Sequence, residues 1–202
     1  MSGSKIFRVG KAGCDAAARV LSRAFTDDPG MAHFLPDDER RRDGLVPLFR
    51  FLVKLGMLCG EVYAPSPDIE GVTVWFRSPD LGHGFLKAMR AGYPRVVREW
   101  DKPARRRLRS FDAQVMEKHR AHMTADHYYL SLLAVDPPHQ RMGFGAFLLE
   151  ALLTRADAER VPCYLETFSE VDVSIYEKFG FQVAEKCRVD GVSVWLMVRD
   201  SG

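Results

Sequence analysis

The segment YYLSLLAVDPPHQRMGFGAFLLEALL, residues 128–153, runs an apolar strand into a polar loop and then straight into an apolar-periodic helix. Strand, loop and helix in that order point to a layered architecture in which helices cover a sheet. Gly143 and Gly145 stand where the helix begins. Glycine packs nothing and costs conformational freedom, so a pair placed there marks a close approach of the backbone to a ligand or to a neighbouring strand. The first N–H groups of a helix lack acceptors and carry partial positive charge, which suits an anion. Arg141 can add charge from the side. Two nucleotide patterns fail. The third glycine of G-x-G-x-x-G would fall at Leu148, and a P-loop would need a lysine that is absent. An anion site and close helix–strand packing both remain open.

The flanking sequence extends the same layered pattern. On the helix after the glycines, Phe147, Leu148, Ala151, Leu152 and Ala156 are expected to face inward. PCYLETF is a further strand, DVSIYEKFGF a short helix stopped by Gly180, and QVAEKCRV and VSVWLMVR flank an Asp190–Gly191 hairpin turn. Upstream, KIFRV reads as a strand and residues 13–25 as a helix. TDDPGMAHFLPDD reads as a loop. A second helix lies within 38–58, with a break expected at Pro47. EVYAP and IEGVTVWFRS are strand-like, and in the latter Val72, Val74 and Phe76 alternate against Thr73 and Trp75. Residues 80–125 carry two or three short helices between strands and read as an insertion. The chain is thus read as one α/β (α+β layered) domain over residues 1–202.

Composition limits the functions available. Of 202 residues 47% are hydrophobic and 28% charged, enough to bury a core, and the net charge of +2 leaves no overall footprint for nucleic acid. The basic run KPARRRLR, residues 102–109, reads first as a solvated helix face and second as a means of steering an acidic ligand. Cys14, Cys59, Cys163 and Cys187 are scattered, with no zinc-site spacing, and the histidines form no HExxH. No stretch approaches the ~18 apolar residues of a membrane span. The expectation is a soluble, cytoplasmic protein with reduced thiols, no metal, no nucleic acid and no membrane partner.

LLAVDPPHQRMGFGAFLLEALL resembles the acetyl-coenzyme A signature of the GNAT acyltransferase superfamily, whose Gln/Arg-x-x-Gly-x-Gly/Ala pattern is filled by Gln140, Gly143 and Gly145. YLETFSEVDVSIYEKFGF resembles the strand and helix that come next in that family. AFTDDPGMAHFLPD and DHYYLSLLAVDP are similar to the puromycin-type N-acetyltransferase branch. The resemblance implies a central mixed, mostly antiparallel sheet with helices on both faces, the helical insertion at about 80–125 preceding the cofactor-binding strand. It also implies acetyl-CoA as acyl donor. Arg141, Met142, Gly143, Phe144, Gly145 and Ala146 would then form the pyrophosphate loop, with Gln140 ordering it. The backbone of Leu133, Ala134 and Val135 would hold the pantetheine arm at a splayed strand edge.

By the same resemblance Tyr176 is the general acid toward the departing thiolate, a fitting task for a phenol. Asp172 stands where the branch usually has asparagine. An ionised carboxylate only accepts hydrogen bonds, so a contact to the cofactor there is put in question. Glu166, on the strand beside the expected thioester, is the first candidate for the base. Asp27, Asp28, Trp75, Tyr129 and Ser131 are candidates for the acceptor pocket, and each also has a structural reading as a turn carboxylate or buried sheet residue. The expected reaction is direct acetyl transfer to a primary amine of a small molecule in a ternary complex. A protein lysine or N-terminal amine is the first alternative acceptor, and non-catalytic acyl-CoA binding the second. Either a monomer or a homodimer fits.

Overall fold

The computed structural model describes residues 6–78 and 84–201. Within them seven strands form one sheet: β1 (Phe7–Arg8), β2 (Glu61–Ala64), β3 (Gly71–Arg77), β4 (Tyr128–Val135), β5 (Cys163–Thr167), β6 (Gln182–Val189) and β7 (Val192–Arg199). Their order is β1-β2-β3-β4-β5-β7-β6, and only β4 and β5 run parallel. The mixed, mostly antiparallel sheet implied by the sequence is therefore present.

Among the described residues eight α-helices cover it: α1 (Cys14–Ala24), α2 (Pro29–Phe34), α3 (Asp38–Cys59), α4 (Phe85–Ala91), α5 (Tyr93–Glu99), α6 (Lys102–His122), α7 (Phe144–Glu159) and α8 (Glu170–Glu177). Residues of α1 to α6 share a buried cluster with one face of the sheet, through Val72, Val74, Phe76, Tyr164 and Leu196. The other face, with Trp75, Leu130, Leu165 and Met197, packs under α7 and α8. The period-two alternation in β3 thus sorts its side chains between two cores. No helix among the described residues is long and apolar enough to cross a membrane.

Several local expectations need correction. TDDPGMAHFLPDD contains a helix: the Asp28 carboxylate caps α2 by accepting from the Met31 N–H at 3.0 Å, and Pro29 occupies its first turn. A capping residue followed by proline is a start signal as well as a turn signal. α3 does not break at Pro47. The lost hydrogen bond costs about 3 kcal/mol, but Leu45, Leu48, Phe49, Val53 and Leu55 are all buried in the core, each worth about 1.5–3 kcal/mol. Tertiary packing wins. On α7 the buried stripe is Leu148, Leu149, Leu152, Leu153 and Ala156, with Phe147 and Ala151 only half-buried.

Residues 84–122 include one long helix in place of short ones alone. Pro103 sits in the first turn of α6, where a missing N–H costs nothing, and Asp101 caps that turn. Ala91, Val96, Trp100, Ala104, Phe111 and Val115 join the main core. In the basic run Arg106 and Arg109 face solvent, while Arg107 donates to the Phe34 carbonyl at 3.1 and 2.7 Å. The Asp190–Gly191 turn joins β6 to β7 with positive φ at both residues, as a tight hairpin requires.

Candidate functional site

β4 and β5 pair only through Tyr128–Leu130 and Cys163–Leu165. β4 continues to Val135 without β5 beside it, so the strands splay and backbone groups of Ser131–Val135 face the opening. Part of the cause is local. Opposite β3, Val74 pairs with Leu132 and Trp75 with Leu130, which leaves Ser131 as the extra residue of a bulge. A bulge bends its strand and re-aims the residues beyond it.

The loop after β4 is built for rigidity. Asp136, 8% exposed, receives two bonds from Arg23 of α1, at 2.8 and 2.6 Å. The Gln140 side chain donates to the Val135 carbonyl at 3.3 Å, so it orders the loop. His139 meets the Phe144 ring edge-on at 6.2 Å. Arg141 and Gly143 both have positive φ, 64° and 87°. Gly143 precedes α7 without any side-chain cap, and the first helical bond runs from the Phe147 N–H to the Gly143 carbonyl. The N–H groups of Phe144, Gly145 and Ala146 have no acceptor within the helix.

The two readings of the glycine pair now separate. A Cβ at Gly143 would meet nothing within 4 Å, and one at Gly145 only the Val135 side chain at an ordinary 3.6 Å. Neither is forced by tight helix–strand packing. Gly143 is required by its backbone conformation, and together the two leave open space before a row of unpaired N–H groups.

That space belongs to a cavity of about 650 Å³. Leu133, Ala134, Val135, Gln140, Arg141, Gly143, Gly145 and Ala146 line it together with Asp27, Asp28, Asp172 and Tyr176. Twelve of the candidate residues, from five separate elements or loops, thus meet in one place. Met142 is 63% exposed and points away, and Phe144 packs on His139.

Four further candidates do not line the cavity either. Trp75 is 2% exposed in the cluster beneath α7, set edge-on to Tyr128. Its phase in β3 sends it to the face opposite Val74, and it does not line this cavity. Ser131 lies in the bulge and, on the same face as Tyr129, hydrogen-bonds its phenol. Tyr129 and Glu166 sit behind the wall among Tyr164 and His119.

Electrostatics distinguish the carboxyls. Burial pushes Asp28 up to about 6, against the pull of the Met31 and Gly30 N–H groups, and the charge of Asp172 pushes the same way. Burial also raises Asp172, while a bond from the Thr167 hydroxyl at 3.2 Å draws it back. Each upward shift favours the neutral acid, which can donate as an asparagine does. Tyr176, four residues on from Asp172 along α8, is held above the ordinary phenol value by burial and by the Asp172 charge. Burial lifts Glu166 to about 7; nearby Tyr129 and Tyr164 hydroxyls pull it down and Asp112 pushes it up. Cys163 is a buried thiol raised to about 12, unsuited to forming a nucleophilic thiolate. Among the described residues no group of three or more His, Cys, Asp or Glu could hold a metal ion.

Sequence reasoning missed Arg23 and Asp136, which pin the loop, and His119, which packs against Glu166. The last had a signal: Phe111, Val115 and His119 recur every four residues on the buried stripe of α6.

Residues 91–181 match the Acetyltransferase (GNAT) family. An uncharacterized N-acetyltransferase of Schizosaccharomyces pombe is 25% identical over 171 residues, covering 82% of this chain and 69% of that protein. Among solved structures, one described as histone acetyltransferase HPA2 and related acetyltransferase from Corynebacterium glutamicum aligns with a TM-score of 0.68 at 19% identity, covering 98% of this chain and 96% of that one. Arylalkylamine N-acetyltransferase 2 from Aedes aegypti aligns with a TM-score of 0.60 at 12% identity, covering 98% and 99%. These matches do not single out the puromycin-type branch.

Proposed function

We propose that this chain, a member of the GNAT acetyltransferase superfamily, moves an acetyl group from acetyl-CoA to a primary amine of a small molecule. The observation that carries the reading is the cavity itself. It joins an uncapped helix start beside Arg141 to a wall bearing Asp27, Asp28 and Asp172. One part suits a phosphate-bearing coenzyme and the other a cationic amine. A volume of about 650 Å³ lies within the usual range for small-ligand sites. The fold alone does not choose the acceptor, because the neighbours are described with different ones, a histone acetyltransferase and an arylalkylamine N-acetyltransferase among them.

The residues present fit the coenzyme: unpaired N–H groups at 144–146, a Cβ-free approach at Gly143 and an unpaired strand edge at Leu133–Val135. Acetyl-CoA, when bound, supplies the activated acyl group. Arg141 and the helix start hold phosphate, Gln140 keeps the loop closed, and the β4 edge offers backbone groups to an extended amide-bearing arm. Tyr176, kept protonated by burial, donates its proton to the leaving sulfur. Asp28 holds the ammonium in the cavity wall. Glu166, raised to about 7, accepts a proton through solvent and without direct contact to the amine.

The test is an acetylation screen over amine libraries, lysine peptides, N-terminal peptides and intact basic proteins, read as release of free thiol. Small amines should lead in kcat/KM. Peptides ahead by tenfold or more would transfer the reading to protein acetylation. Coenzyme A binding without thiol release on any acceptor would mark an acyl-CoA-binding protein.

A further inference from the structure

His119 of α6 and His127, just before β4, meet inside the protein, Nε2 to Nε2, at 2.7 Å. Both are buried, at 1% and 2% exposure. Two nitrogens facing each other need one proton between them, and the surroundings decide which ring supplies it. His127 Nδ1 lies 2.7 Å from the Ala125 carbonyl, which can only accept. His127 therefore carries its proton on Nδ1, and its Nε2 is bare while the ring is neutral. His119 must then donate from Nε2, which leaves its own Nδ1 bare. That atom has no hydrogen-bond partner, and neither has Glu166 Oε1, which faces it at 3.7 Å.

Two buried, unpartnered polar atoms opposed at this distance need a proton and a small approach. The row contains three gaps: Glu166 to His119, His119 to His127, and His127 to Ala125. Neutral Glu166, His119 and His127 carry one proton each. One proton fills each gap, all donated in the same direction.

We infer that Glu166, His119 and His127 form a directed proton relay in which His119 and His127 are positioning residues that hold Glu166 as a neutral acid and connect it to the turn at Ala125. The inference rests on the reading of Glu166 as a proton acceptor. A shift along the row is balanced. Glu166 gives its proton to His119 Nδ1, and the His119 Nε2 proton passes to His127 Nε2. His127 becomes an imidazolium that keeps its bond to the Ala125 carbonyl, Glu166 is left as a carboxylate able to accept a proton, and the reverse shift restores the neutral row.

Most groups facing the row favour a neutral resting state, and the Tyr129 and Tyr164 hydroxyls, which stabilise the Glu166 carboxylate, oppose it. Tyr164 stacks on His119 at 4.0 Å and Tyr129 packs beside it at 4.9 Å. Burial, His127 and Arg120 hold His119 low, at about 3, so the shared proton rests on Glu166. Burial and Arg77 also lower His127, with the Ala125 carbonyl and Asp126 opposing. Asp112 pushes Glu166 further toward the neutral form.

Nitrogen-15 NMR of histidine-labelled full-length protein tests the inference directly. Below pH 6, His127 should show the Nδ1–H tautomer and His119 the Nε2–H tautomer. The His119 Nδ1 signal should then inflect near pH 7 as Glu166 titrates, and Glu166→Gln, whose amide can still donate, should abolish that inflection. Nδ1–H on His119 below pH 6, or an inflection that survives Glu166→Gln, would overturn the relay. In acetyl-transfer assays His119→Phe keeps the stacked ring and removes both nitrogens. The acid limb of kcat/KM should move by at least half a pH unit, whereas a uniform loss with an unmoved midpoint would overturn the assignment. If no acceptor is acetylated, the proposed function fails while the NMR result still decides the relay.

Discussion

Arg23 grips Asp136 through two bonds, of 2.8 and 2.6 Å, and so ties α1 to the loop that leaves β4. The carboxylate is the buried partner, 12% exposed at its side chain against 50% for the arginine. Removing Arg23 strands a charge that water reaches poorly, whereas the arginine alone would be well solvated. Arg23→Met should therefore cost about 1–2 kcal/mol of stability, below the full value of a buried charged bond because the arginine is half exposed. It should also weaken coenzyme A binding at least threefold by loosening residues 137–143. Urea denaturation and calorimetry check the two effects, and unchanged affinity would show that the loop holds itself.

Gly143 and Gly145 should separate under mutation. Gly145 is helical and has room for a Cβ. Gly145→Ala should leave the fold intact or stabilise it by up to about 1 kcal/mol, as alanine does in helices. Coenzyme A affinity should fall tenfold or more, because the methyl group enters the space before the helix start. Gly143→Ala, at φ 87°, should instead cost about 1–2 kcal/mol through its left-handed backbone. A Gly145→Ala protein that binds coenzyme A as tightly as the parent would remove the anion site from this loop.

Residues 128–153 are legible in the sequence because their structure is decided locally. A strand pattern, a run of loop formers and unpaired helix N–H groups need no distant partner to be read. Tyr176 and Asp172 are legible only through the resemblance of the strand and helix at 164–181 to those of the family. What cannot be read is decided by contacts far apart in the chain. His119 gains its role only when α6 lays it on Tyr164, and Arg23 only when α1 reaches Asp136. Pro47 misleads because helix propensity is local and the packing that overrides it is not. Trp75 alternates against Val74 as read and is buried on the opposite face, but a period of two does not say which side holds the ligand.

The raised carboxyls predict how stability depends on pH. Between pH 4 and 6 the unfolded chain has released the Asp28 proton while the folded one retains it. The folded state binds more protons there, so stability falls as pH rises. Glu166 extends the fall from about its ordinary value to about 7. Each group contributes up to about 1.4 kcal/mol per pH unit inside its window. Chemical denaturation of the parent and of Asp28→Asn with Glu166→Gln, from pH 4 to 8, measures the difference. The double variant should gain on the parent as pH rises, and parallel curves would mean that neither carboxyl is perturbed.

Tyr176 lines the cavity beside Asp172, packs edge-on against Phe181 at 5.8 Å, and keeps its proton well past neutral pH. Tyr176→Phe preserves the ring and its packing, so stability should change little. As general acid the tyrosine should account for roughly 10²–10⁴-fold in kcat, with coenzyme affinity almost unchanged. The chemistry also separates acid from packing. A departing thiolate of low pKa leaves without help, so the deficit should shrink with an acyl donor built on a more acidic thiol. A structural tyrosine would give the same deficit with every donor. If kcat falls less than about threefold while chemistry limits turnover, the sulfur takes its proton from another group, and Asp172, raised by its own burial, is the next one to substitute.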